Sequence, residues 1–167
     1  IVGAPKSGTT SLYHYLDAHS EILMSSLKEP NYFSFNEIKN QGLYYQSNYI
    51  SKIKEYHNLF LEKQEHQKLG EASVSYLFYP KVPEKIYNYN SSAKIIIILR
   101  NPIDRAYSHY LMDFRLGFLS TQFHNIINDK HNKLGLYYQQ YIKLGMYYKQ
   151  VKRYLQRFGK KNVLILD

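Results

Sequence analysis

Apolar residues along this chain fall into two alternating patterns. Short unbroken apolar runs, rich in β-branched residues and bounded by charge, suit strands buried on both faces. AKIIIILR, residues 93–100, is the clearest, and NVLILD, residues 162–167, is a second of the same buried kind. Residues 1–4 read as a strand already in progress, and 21–26 and 69–73 as two more short strands. Between these runs the apolar positions recur at helical spacing. Leu12, Tyr15 and Leu16 mark a helix over residues 8–18. Residues 49–65 read as mostly helical, 80–89 as a helix with two prolines near its start, and 140–158 as a helix closed by Gly159. Asn101 and Pro102 suit the N-cap and first position of a further helix, along which Ile103, Tyr107, Tyr110 and Phe114 form an apolar stripe. Residues 28–33 are a loop, broken by Pro30. Strands alternating with helices predict an α/β domain with a mainly parallel sheet.

Composition narrows the class. A chain of 167 residues is read as one domain. A domain of that size buries about 70% of its unfolded surface, enough for a real core. Apolar residues at 44% and charged residues at 21% are globular values. With no cysteine there is neither a disulfide framework nor a thiolate metal site. The longest apolar run, residues 95–99, is far too short to span a membrane. The chain opens on Ile1 rather than Met and reads as a fragment cut at both ends, so targeting signals fall outside it.

The net charge of +9 favours an anionic partner. Part of that excess, Lys149, Lys152, Arg153, Arg157, Lys160 and Lys161, is read as a solvated helix face. Most of the 19 tyrosines are read as core and surface filler. The seven histidines show no tight metal-ligand spacing; His109, beside Ser108, is read as packed or exposed.

The candidate chemistry starts at GAPKSGTTS, residues 3–11. It nearly fits the phosphate-cradling pattern G-x-x-x-x-G-K-[ST]. Gly3, Gly8 and Thr10 fall in place, but Thr9 stands where the pattern needs Lys, and the lysine sits at Lys6. At the carboxyl edge of a parallel sheet such a loop aims backbone N–H groups and a helix N-terminus at a phosphate. Lys6 adds a full charge and Thr9, Thr10 and Ser11 add hydroxyls, so the loop suits a phosphate without being built for a triphosphate with Mg²⁺. Arg100, at the end of the 93–100 strand, should emerge on the same edge, with Ser108 nearby on the following helix; Arg100 could instead pair with Asp104. A nucleotide kinase or NTPase is the rival reading, with Asp167 at a strand end as its Mg²⁺ ligand. A basic nucleic-acid or glycan binder is a further one.

PKSGTTSL (5–12) together with ILRNPIDRAYSHY (98–110) resembles the sulfotransferases that use 3′-phosphoadenosine 5′-phosphosulfate (PAPS). KEPNYF (28–33) and GEASVSYLFYP (70–80) agree, and the flavour is that of bacterial sulfotransferase domains and of heparan sulfate N- and 3-O-sulfotransferases. The resemblance implies a three-layer P-loop-like fold over residues 1–167, with a C-terminal family segment missing. It implies that Lys6, Ser7, Gly8, Thr9 and Thr10 hold the 5′-phosphosulfate, that Arg100 and Ser108 hold the 3′-phosphate, and that Glu29 is the base on a hydroxyl or amine acceptor. Lys6 would neutralise charge on the leaving group, with no metal needed. Glu29 could instead be a surface carboxylate paired with Lys28. The implied partners are PAPS and an acceptor, an anionic glycan or a small molecule among the candidates, met in a cleft formed by loops 34–48 and 111–140. The implied location is the cytoplasm for a bacterial protein, or the Golgi lumen if a preceding segment carries an anchor. One departure stands out. Heparan sulfate sulfotransferases carry Lys after the Glu of GEAS, where this chain has Ala72, which puts a heparan-type acceptor in doubt.

Overall fold

The computed structural model describes residues 1–42, 49–128 and 135–167. Its strands are β1 (Ile22–Met24), β2 (Lys68–Gly70), β3 (Ile95–Ile98) and β4 (Val163–Leu166). Its helices are α1 (Thr9–Asp17), α2 (Phe35–Gln41), α3 (Ile53–Asn58), α4 (Val82–Tyr89), α5 (Pro102–Arg115), α6 (Phe123–Asn128), α7 (Gly135–Tyr141) and α8 (Tyr147–Phe158).

β1 pairs with β2 and β3 with β4, both parallel. The opening segment joins the two ladders. Val2 and Ala4 donate to Ile96 and Ile98 at 3.0 and 2.7 Å, while Ile1 accepts from Ser73 at 3.1 Å. The sheet order is therefore β1, β2, residues 1–4, β3, β4. Side chains alternate across the opening segment. Val2 and Ala4 pack with Ile95, Ile97, Val82, Tyr154 and Phe158 under α4 and α8. Ile1 faces the opposite layer with Tyr13, Met24 and Ala72, beneath α1. This is the expected three-layer α/β arrangement. Fully burying one side chain such as Ile97 contributes roughly 1.5–3 kcal/mol, and Ile97 is wholly inaccessible.

Several expectations need correction. Only residues 53–58 of the 49–65 stretch are helical, with turns following. The 140–158 helix is interrupted: α7 ends at Tyr141, a tight turn spans Lys143–Gly145, and α8 starts afresh at Tyr147. Pro102 and the Arg105 guanidinium press on the turn at Gly145, where there is little room for a side chain. β4 is not buried on both faces: Leu164, Ile165 and Leu166 are exposed, because within the described sheet β4 has a neighbour on one side only. The stripe on α5 is also largely outward, with Ile103, Tyr107 and Phe114 exposed and only Tyr110 of the four buried. The inward face carries Arg105, Ala106, His109, Tyr110 and Asp113 instead. Loops 34–48 and 111–140 contain α2, the end of α5, α6 and part of α7; their residues 43–48 and 129–134 lie outside the described residues. On α8, Lys149 and Lys152 are exposed as expected, but Arg153 turns inward and donates to the carbonyls of Leu77 and Phe78.

Candidate active site

After residue 4 the chain must leave the sheet and turn into α1 within four residues. Gly8 makes that turn at φ 89°. A side chain there would meet no neighbour, so it is the backbone conformation that calls for glycine. Lys6 adopts φ 65°, a left-handed conformation costing a non-glycine residue about 1–2 kcal/mol. No side chain caps α1, leaving its first N–H groups for another acceptor. Lys6 Nζ lies 3.4 Å from Met112 Sδ on α5.

Arg100 follows β3, is exposed, and donates through one terminal nitrogen to the Lys6 carbonyl at 3.2 Å. It does not pair with Asp104: among the described residues no ion pair involves either of them. Asn101 caps α5 as expected, accepting from the N–H groups of Ile103 and Asp104. Asp104, Ser108, Met112 and Arg115 then descend one outward row of the helix. Lys6, Arg100 and this row enclose a cavity of about 520 Å³, completed by Tyr107, Leu111 and Leu116. Lys6, Ser108 and Arg100 thus meet at one cavity. Ser7, Gly8, Thr9 and Thr10 sit at the adjoining loop and start of α1 and do not line it; Thr9 is buried. Three cations, Lys6, Arg100 and Arg115, share the cavity, and none has a carboxylate within 4.0 Å among the described residues.

The inward face of α5 is a buried polar ladder. Arg105 donates to the carbonyls of Gln140 and Tyr141 and lies 3.4 Å from His109 Nδ1. The Tyr141 hydroxyl donates to Asp113 at 2.7 Å. His109 Nε2 stands 3.8 Å from Asp113, close enough to suggest an ion pair. The imidazole is nevertheless held neutral. Burial, then the charges of Arg105 and Lys6, lower its pKa to about 3. His109 is therefore packed beneath the cavity rather than open to it.

Glu29 belongs to a second feature. It and Asn31 both adopt left-handed conformations, φ 59° and 52°, around Pro30. Such strain persists only where surrounding groups enforce it. The Glu29 N–H donates to Ala72 at 2.8 Å, and Asn31 Nδ2 donates to the Glu29 carbonyl at 2.8 Å. Asn31 is held in turn by Ser73 and Ser75, the latter donating to Oδ1 at 2.6 Å. Beside this clamp the Glu71 carboxylate accepts from Ser73, Tyr56 and Tyr76. Burial pushes the Glu71 pKa up and these donors pull against it. Lys28 Nζ is 2.6 Å from Glu29 Oε1, so the pairing weighed from the sequence does form. Glu29 and Asn31 line a small cavity of about 60 Å³ with Pro5, from the Lys6 loop, Ser75, Gln139 and Gln140.

Some site residues escaped sequence reasoning. Met112 and Arg115 stand four and seven positions beyond Ser108, so helical spacing could have found them. Tyr147, whose hydroxyl lies beside Ser7 and donates to the Arg100 carbonyl at 3.1 Å, carried no local signal. Among the described residues no three His, Cys, Asp or Glu side chains converge as a metal site.

The model of the sulfotransferase domain family matches residues 1–167. Heparan sulfate glucosamine 3-O-sulfotransferase 5 of Mus musculus is 34% identical over 110 residues, 66% of this chain and 29% of that protein. Bifunctional heparan sulfate N-deacetylase/N-sulfotransferase 4 of Mus musculus is 29% identical over 175 residues, 100% of this chain and 19% of that protein. The crystal structure of a sulfotransferase from Alicyclobacillus acidocaldarius superposes with a TM-score of 0.88 at 35% identity, covering 99% of this chain and 70% of that one. The chain thus spans less than a third of the length of these curated relatives.

Proposed function

The chain belongs to the sulfotransferase domain family, and we propose that residues 1–167 are a single domain that moves a sulfuryl group from PAPS to a hydroxyl or amine acceptor. The observation that carries this reading is the cavity lined by three cations and one carboxylate, Asp104, with no ion pair to any of them among the described residues. Three cations gathered at one cavity raise the local positive potential and favour an anion there. A donor phosphorylated at both ends of a ribose supplies anionic groups at two points. Arg100 and Ser108 would hold the 3′-phosphate, and Lys6 with the loop Ser7, Gly8, Thr9 and Thr10 would hold the 5′-phosphosulfate.

The donor supplies an activated sulfur–oxygen bond; positioning and neutralisation fall to the protein. Glu29 takes the proton as the acceptor attacks the sulfur. Lys6 neutralises the charge that builds on the departing phosphate oxygen, opposite the attacking group. Pro5 of the Lys6 loop lines the Glu29 cavity, which supports base and cation acting on two sides of one reacting centre. The acceptor is a glycan on this reading, since both mammalian relatives are named for heparan sulfate. No helix among the described residues is long and apolar enough to cross a membrane.

Thermal unfolding with adenosine 3′,5′-bisphosphate, against ADP with and without Mg²⁺, tests the reading. A ligand at 100 times its dissociation constant stabilises by about 2.7 kcal/mol. We expect a Mg²⁺-independent shift with the bisphosphate that is lost in Arg100→Ala. A shift only with ADP and Mg²⁺ would replace this reading with the kinase.

A further inference from the structure

The cavity beside Glu29 contains a donor that nothing among the described residues uses. Gln139, on α7, is 9% exposed. Its Nε2 is buried and has no hydrogen-bond partner among the described residues. A buried amide N–H₂ without an acceptor is costly and uncommon in native interiors. It is not an accident of a loose side chain, because the other end of the amide is fixed. Gln41 Nε2 donates to Gln139 Oε1 at 2.6 Å, and the Tyr79 hydroxyl donates to Gln41 Oε1 at 2.5 Å. With the Tyr79 hydroxyl donating, this relay through Gln41 leaves the Nε2 end of Gln139 over. Tyr79, Gln139 and Glu29 all line the same cavity.

The rest of the lining narrows what fits. Asn31, Ser75 and Gln140 add polar groups, and Pro5, Ile38, Val74, Phe78 and Leu144 add apolar ones, but no Lys, Arg or His is among them. Among the described lining residues Glu29 is the one charged group, and Lys28, 2.6 Å from its carboxylate, is already paired with it. A carboxylate or sulfate on the group entering here would meet Glu29, whose partner Lys28 is already engaged, and no further cation lines the wall among the described residues. Amides and two hydroxyls, those of Ser75 and Tyr79, around an apolar floor suit an uncharged, hydroxylated group.

We infer that Gln139 is a specificity-determining residue, whose Nε2 donates to an oxygen of a neutral, hydroxylated acceptor unit and so places the neighbouring acceptor group at Glu29. The unit entering the cavity is uncharged whatever charge the remainder of the acceptor carries. This rests on the reading of Glu29 as the base, and the test separates the two.

Proton–nitrogen correlation spectra of the side-chain amides would be recorded on the full-length protein loaded with adenosine 3′,5′-bisphosphate. The protein would be titrated with p-nitrophenyl β-D-glucoside and, separately, with the anionic glucuronide. The Gln139 signals are identified by their loss in Gln139→Leu. They should move with the glucoside and not with the glucuronide. Gln139→Leu and Gln139→Glu should weaken the glucoside about three- to tenfold, the worth of one hydrogen bond. Both should leave bisphosphate affinity within about twofold, which reports that the variants fold. Stationary Gln139 signals, absence of glucoside binding, or unchanged affinity in both variants would overturn the inference. Glu29→Gln separates the premise: it should keep the glucoside-induced shift and lose transfer, whereas retained transfer would sink the base and leave the Gln139 contact standing.

Discussion

The neutral state of His109 makes a prediction with a worked magnitude. The imidazole faces Arg105 one turn before it and Asp113 one turn after, so two outcomes compete. Pairing with Asp113 would raise its pKa, while burial beside Arg105 lowers it. The distances favour the second, with the guanidinium 3.4 Å from Nδ1 and the carboxylate at 3.8 Å. The folded pKa is lowered to about 3 from the ordinary 6.5. The unfolded chain therefore binds one more proton than the native state between these values. The contribution is fully present above pH 6.5 and is lost as pH falls towards 3, at up to about 1.4 kcal/mol per pH unit. At pH 5 the loss is about 2 kcal/mol. The assay is denaturant unfolding of wild type and His109→Gln from pH 7.5 to 4.5. Glutamine cannot titrate, and subtracting the two curves removes the carboxylates common to both. Wild type should lose about 2 kcal/mol relative to the variant by pH 5. Parallel curves would refute the buried neutral imidazole, and a wild type that gains on acidification would establish the ion pair instead.

Other substitutions test the site and its supports. Lys6→Met should lower kcat by roughly 10²–10³ while bisphosphate still binds, as measured by single-turnover transfer and calorimetry. Arg100→Ala removes a charged phosphate clamp and should weaken the bisphosphate by about 1.5–3 kcal/mol in a calorimetric titration. Asn31→Ala should unfold more easily than Asn31→Gly by about 1 kcal/mol, because both lose the same hydrogen bonds and only glycine accepts φ 52° freely; equal stabilities would show that the conformation costs little. Tyr154→Phe removes the buried donor to the Tyr76 carbonyl, 2.8 Å away, and should cost about 1 kcal/mol in denaturant unfolding.

The strands were legible because β3 and its partner carry runs of Ile, Leu and Val that no loop would carry, and because Gly3 and Gly8 punctuate the first turn. Lys6, Arg100 and Ser108 were legible because a strand end and the helix after it have a predictable sheet edge. Period alone misplaced α5. Its apolar residues at 103, 107 and 114 look like a core stripe, yet the interior holds Arg105, bonded to His109 and two carbonyls of α7, and Asp113, bonded to the Tyr141 hydroxyl. Pattern reading treats such residues as surface because their partners are distant in sequence. Asn31 and Gln139 were invisible for the same reason: each acquires its role from residues about 40 and about 100 positions away. The break between α7 and α8 falls at Lys143–Gly145, and Gly145, a poor helix former, was a local signal of it.

The two faces of α5 divide anchoring from recognition. The inward ladder locks the helix in rotation and in axial position, since turning it by one residue would pull Arg105 from two carbonyls and Asp113 from Tyr141. The outward row, Asp104, Ser108, Met112 and Arg115, makes no contribution to that lock. Substituting an outward residue therefore changes the shape and charge of the cavity wall while the wall itself stays in register. A helix built this way can be retuned for a different guest one position at a time, without repaying the stability of the scaffold at each step.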